Sequence, residues 1–115
     1  GLLVWADEEH WIKAGIEFAD GAPQLGAVVT DIFSDWSVAP VPDWMDKVVQ
    51  LRVSRSGDAL TIRARLDGDW KLVRLCPLDP KLEWKVGLHL ASPTRAGLTV
   101  EFLQIRIGSA DESLH

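Results

Sequence analysis

The chain has one cysteine in 115 residues, so no disulfide can form within it. Cys76 sits between Leu75 and Pro77, a setting that suits a small buried apolar group. An unpaired thiol fits a reducing compartment, so a cytoplasmic location is expected. No run of 18 apolar residues occurs, so no membrane-spanning helix and no membrane partner are predicted. Nor does a basic start followed by an apolar stretch read as a secretory leader within these residues. Basic charge is scarce as well. Twelve Lys and Arg stand against 17 Asp and Glu, for a formal charge of −5 and a pI near 5.0. That balance disfavours nucleic acid, because neutralising phosphates requires clustered Lys and Arg. There is no internal repeat, no Gly-rich phosphate loop and no segment with a sustained helical period. The histidines at 10, 89 and 115 lack zinc-ligand spacing. The acids Asp7, Glu8 and Glu9 are consecutive, whereas calcium loops alternate their oxygen ligands. No metal and no cofactor are therefore expected.

What remains is abundant strand signal. Apolar residues make up 47% and charged residues 25%, enough apolar material for the core of one globular domain. In 11–18, Ile12, Ala14, Ile16 and Phe18 alternate with Trp11, Lys13, Gly15 and Glu17. The segments 48–55 and 59–66 alternate in the same way, the first with Val49, Leu51 and Val53 on one face. Further strands are predicted over 2–6, 25–33, 70–75, 84–91 and 98–107. Asp-Gly pairs at 20–21 and 67–68 supply turns. A single helical turn could follow Asp43. Seven or eight strands at this spacing predict an all-β, antiparallel β-sandwich. The stretch Thr30 to Pro40 is predicted to end a strand and then form a loop, with the prolines at 40 and 42 stopping the ladder.

The order of motifs carries a resemblance. Trp11-x-Lys13-x-Gly15-x-Glu17, then Ser34-Asp35-Trp36-Ser37, then Asp67-Gly68-x-Trp70 resemble the family of unknown function typified by the regulation-of-enolase protein. The likeness runs from residue 3 to about residue 107. It implies a concanavalin-A-like jelly roll, related in shape to lectins and β-glucanases, with a role near sugar metabolism. Domains of that family begin with additional strands that are absent here, and this chain opens directly in strand-like sequence without a methionine. Residues 1–108 are accordingly expected to be the C-terminal part of a longer sandwich domain, and 109–115 a polar tail.

Candidate site residues follow from strand parity. Lys13, Glu17 and Trp11 share the face opposite the apolar one, and Arg52 and His89 lie on the polar faces of their strands. Lys13, Glu17 and Arg52 are predicted to project from one concave outer face. Such a mixed field suits sugars, whose hydroxyls need paired donors and acceptors while an aromatic ring stacks on the pyranose. Trp36 is the candidate platform, with Asp35 and Ser37 fixing its loop; a core role is the competing assignment, because large aromatics are mostly buried. Trp5, Trp70 and Trp84 are assigned to the core, and Trp44 to either place. The expected ligand-binding set is Trp11, Lys13, Glu17, Asp35, Trp36, Ser37, Arg52 and His89, with no catalytic residue. Glucanases of the resembling shape carry their acids on one strand as E-x-D-x-x-E, and no such string occurs here. Glu17 could pair with Glu101 or Asp31 only across strands, so glycoside hydrolysis is the lesser alternative. The expected function is a non-catalytic, lectin-like module for carbohydrate or a sugar-metabolism partner. The alternative is a regulatory domain acting on a metabolic enzyme such as enolase.

Overall fold

The computed structural model describes residues 1–89, in which eight strands form two antiparallel sheets. In chain order the strands are β1 (Leu2–Asp7), β2 (His10–Ala19), β3 (Ala22–Asp31) and β4 (Phe33–Pro40). They continue with β5 (Gln50–Ser56), β6 (Ala59–Arg65), β7 (Lys71–Pro77) and β8 (Lys85–Leu88). One sheet has the order β4-β3-β2-β1-β8 and the other β5-β6-β7. The sandwich predicted from alternation is present. The strand predicted over 98–107 lies outside the described residues.

Turn chemistry sets the hairpins. Asp20 and Gly21 both have positive φ, 54° and 77°, and join β2 to β3 as a two-residue turn between the paired Ala19 and Ala22. This is the backbone shape that matches strand twist and that Asp-Gly supplies. The β3–β4 corner is tighter: Asp31 pairs with Phe33, and Ile32 between them has φ 67°. A β-branched side chain is strained in that left-handed region. The Ile32 N–H donates to the Glu9 carbonyl at 2.7 Å, which ties the corner to the β1–β2 turn.

Here the structure departs from the sequence expectation. The segment around Trp36 is a strand, paired with β3 in unbroken register from Gln24–Pro40 to Asp31–Phe33. Its proline stands at the strand's end, where a missing N–H is tolerated. Every residue of β4 is exposed, and its apolar row is only Trp36 and Val38 before the proline, too short to reveal a strand. The helical turn expected after Asp43 appears as a short 3-10 turn, Pro42–Trp44.

The core lies between the sheets. Val4, Ile12, Ala14 and Ala27 from the five-stranded sheet meet Leu60, Ile62, Cys76 and Leu78, with Val29, Val53, Val73 and Trp84 packed against them. The strand β6 is central and buried from Leu60 to Ala64. Its Thr61 hydroxyl donates to the Ser54 carbonyl at 3.3 Å and accepts from Arg63 Nη1 at 2.9 Å, so burial leaves it satisfied. Burial pushes the Cys76 thiol pKa up, as expected of an inert core cysteine. Ile16 and Phe18 share the inner face of β2 with Ile12 and Ala14 but are exposed, because among the described residues three strands face a sheet of five.

Two stability measurements check this account. Ile62 is fully buried, so Ile62→Ala is expected to lower the unfolding free energy by about 2–5 kcal/mol in denaturant titration. Ile32 is exposed, so Ile32→Asn removes little buried surface while relieving the left-handed conformation. It is expected to raise stability by about 1 kcal/mol.

Candidate functional site

Strand parity divides the five-stranded sheet into an inner face and an outer one. Because Val4, Ile12 and Ala27 face the core, Trp5, Trp11 and Val28 face away from it. Trp5 pairs directly with Trp11, and Trp11 with Thr30, whose hydroxyl lies 2.9 Å from that of Ser34 on β4. The next row across the sheet runs Leu3, Lys13, Val28, Trp36. Trp36 is 60% exposed, which makes it a surface indole and not a core one. Two strand spacings separate Trp36 from Lys13, about 10 Å.

A second group lies one row further along. Gly15 pairs with Gly26, and the row beyond them holds Glu17 opposite Gln24. Both glycines are required by close approach. A Cβ on Gly15 would sit 2.7 Å from Gly1 Cα, and one on Gly26 would sit 2.7 Å from the Ser37 carbonyl oxygen. Lys13 and Glu17 are four residues apart, about 13 Å along an extended strand, so they form no direct ion pair. His89 continues β8 beside Gly1, donating its N–H to the Gly1 carbonyl and accepting from the Gly1 ammonium, each at 2.9 Å. Its place on the outer face brings it within the fields of both Lys13 and Glu17. Partial burial, then Lys13 and the amino-terminal ammonium, lower its pKa, while Glu17 opposes them. The neutral imidazole is thereby favoured near neutral pH.

Of the eight predicted site residues, the structure brings five onto this face: Trp11, Lys13, Glu17, Trp36 and His89. Asp35 and Ser37 do not join them. They flank Trp36 in sequence, so alternation turns them to the inner side, where Arg74 of β7 reaches across from the other sheet. Arg74 Nη2 lies 2.9 Å from Asp35 Oδ2, and Nη1 donates to Ser37 Oγ at 3.0 Å. Asp35 and Ser37 thus hold β4 against the second sheet, and the indole between them faces solvent.

Arg52 is the other correction. It pairs with Arg63 on β6, on the side opposite Val53, which packs on the core. The Lys13 and Arg52 side chains therefore project from opposite sides of the sandwich. Arg52 instead lies near Trp70, its guanidinium 6.0 Å from the ring centroid, with Arg65 closer at 4.5 Å. Trp70, assigned to the core from sequence, is a partly exposed ring between arginines, and Trp5 is a member of the outer face. Trp84 does pack on the core. Asp31 pairs with His10 and Glu17 with Gln24, at opposite ends of β3 and on opposite faces, so they form no carboxylate pair. Glu101 lies outside the described residues.

A second feature escaped the sequence. Between the sheets, at the end bearing the β1–β2 turn, is a cavity of about 270 Å³ with His10, Asp31, Asp58 and Trp84 in its wall. His10 Nδ1 lies 2.7 Å from Asp7 and its Nε2 lies 3.3 Å from Asp31. The Asp7 hydrogen bond is the largest influence on His10 and raises its pKa; the same bond lowers that of Asp7. The i,i+3 spacing of Asp7 and His10 across a turn was the available signal.

An antiparallel two-sheet sandwich bearing an aromatic and polar outer face is the structural class. The chain belongs to the protein family of unknown function DUF1349, whose match covers residues 1–110. It is 40% identical over 103 residues to regulation of enolase protein 1 of Saccharomyces cerevisiae, an alignment covering 89% of this chain and 52% of that protein. It is 29% identical over 113 residues to an uncharacterised protein of Emericella nidulans, covering 92% and 56% respectively. The chain thus spans about half the length of these curated relatives. The crystal structure of a functionally unknown protein from Saccharomyces cerevisiae superposes with a TM-score of 0.60 at 31% identity, over 79% of this chain and 60% of that one.

The two histidines should titrate apart in NMR. His10, with its raised pKa, should titrate above 6.5, and His89, with its lowered pKa, below it. The His10–Asp7 contribution to stability is present below pH 6.5 and is lost as pH rises through the raised folded pKa. At the acid end it is lost again as pH falls below the ordinary Asp7 value of 3.8. Protonating His89 acts oppositely, destabilising the fold as pH falls below 6.5. Asp7→Asn should bring the His10 midpoint down.

Proposed function

We propose that the chain is a non-catalytic binding module and that the outer face of its five-stranded sheet is the recognition surface. The observation that carries this reading is the exposed Trp36, on the same face as Trp11 and Trp5 and within two strands of Lys13. Carbohydrate is the ligand this chemistry suits best. An exposed indole offers a stacking plane, while Lys13, Glu17 and His89 offer a donor, an acceptor and a neutral imidazole able to do either. Among the described residues this face carries a single carboxylate, Glu17, whereas glycoside hydrolysis uses two.

The second reading is a regulatory contact with a protein, and the name of the yeast relative favours it. That reading would use the same face with an enzyme of sugar metabolism, such as enolase, as partner.

Titration of the chain with a panel of mono- and disaccharides, read by calorimetry, separates the two. Sugar binding should be insensitive to salt, and Trp36→Ala should weaken it by about 1–3 kcal/mol, taking stacking on aromatic side chains as the guide. The same substitution should cost far less stability than the roughly 3–5 kcal/mol of a buried tryptophan. If no sugar binds while purified enolase does, the protein-partner reading replaces the first. Such an interface should bury about 1,200 Å² or more and weaken with salt. Binding of either ligand unchanged by Trp36→Ala and by Lys13→Ala would remove this face from consideration.

A further inference from the structure

The cavity between the sheets lies apart from the outer face, on the inner side of the same strands. It is half open, and the apolar part of its lining is continuous with the core: Ile12 and Leu78 are core residues, and Val29 and Trp84 pack against that core. The indole of Trp84 is fixed, because Nε1 donates to the Asp79 carbonyl at 2.9 Å. The space is therefore walled by a held aromatic ring and aliphatic side chains. At about 270 Å³ it stands just under the range of roughly 300–1,000 Å³ usual for small-molecule sites.

The rim differs in chemistry. Asp31 ends β3, Asp58 stands in the β5–β6 turn, and Asp79 follows β7, so three separate segments each bring an acidic residue to the lining. Local structure uses only part of this charge. Asp79 Oδ1 accepts the Lys81 N–H at 2.9 Å, and Asp31 Oδ1 lies 3.3 Å from His10. Asp58 accepts the Leu78 N–H on its backbone carbonyl at 2.6 Å, which positions the turn against the cavity wall. His10, the basic group in the wall, is already held by Asp7 and Asp31. An anion would meet three carboxylates here. A neutral polyol would find few donors, since Thr30 turns its hydroxyl to Ser34 on the outer face. Apolar wall residues, a fixed indole and acidic residues in one lining together suit a cation on an apolar stem.

We propose that this cavity binds an ammonium or guanidinium group carried on an aliphatic stem, with the stem between Trp84 and Leu78 and the charge at Asp58 and Asp31. The group can belong to a free amine or to a lysine or arginine side chain of a polypeptide. The site does not depend on the outer face of the sheet, and neither proposal falls with the other.

The test is a set of titrations of the 115-residue chain followed by ¹H–¹⁵N NMR, with separate arms for the two sources. Hexylamine and agmatine represent free cations, a capped pentapeptide Gly-Gly-Lys-Gly-Gly represents the side chain, and hexanol and hexanoate control for the stem. Saturable shifts at the Trp84 indole and the His10 amide are expected with the cations and not with either control. Asp58→Asn should weaken binding about threefold, as for a partly exposed ion pair, with an unchanged thermal transition. Binding of the amines without the peptide assigns the site to small molecules, and the reverse assigns it to a polypeptide; both support it. Equal shifts from hexanol and hexylamine, full affinity in Asp58→Asn, or no saturable shift from any cation would overturn it.

Discussion

Every strand of this molecule has two faces, and the core between the sheets can take only one of them. That constraint decides where each functional group stands. Ile12 and Ala14 are committed to the core, so Trp11 and Lys13 cannot be. The same rule holds at the edge, where no core contact enforces it: Arg74 draws Asp35 and Ser37 inward and the indole between them turns out. A carboxylate and a hydroxyl either side of a tryptophan thus have a mechanical meaning. They seat the edge strand on the opposite sheet, and the exposed ring is the geometric remainder.

Much of the fold was legible because side-chain type alternates along the strands flanking the core, even where burial does not, as in β6, buried on both faces. The faces of 11–18, 48–55 and 59–66 were readable from side-chain type, and Asp20-Gly21 announced its own turn. Strand β4 was not legible for a physical reason. Its apolar row, Trp36 and Val38, is too short to set a period, and its terminal proline resembles a loop signal. The core was overdrawn at Ile16 and Phe18, since parity tells which way a side chain points and not whether anything lies there to cover it.

The candidate face was legible in part. Lys13, Glu17 and Trp11 needed only the alternation of one strand, and His89 joined them because β8 lies beside β1. Arg52 failed because parity within a strand says nothing about which sheet the strand joins. Trp70 was misassigned from its type: large aromatics are mostly buried, and nothing in the sequence revealed that Arg65, five residues away, and Arg52 would bracket the ring. The cavity was illegible, because its wall comes from four separated segments whose meeting is a property of the closed sandwich alone.

The single backbone bond from Ile32 to Glu9 joins two turns that are remote in sequence. It places the β1–β2 turn and the β3–β4 corner in one cooperative unit at one end of the sandwich. Opening either one to solvent breaks a bond that holds the other. His10 and Asp31, register partners at the ends of β2 and β3, tie the same two turns together a second time. Any molecule that orders one turn will slow exchange at the other, although no covalent segment shorter than twenty residues connects them.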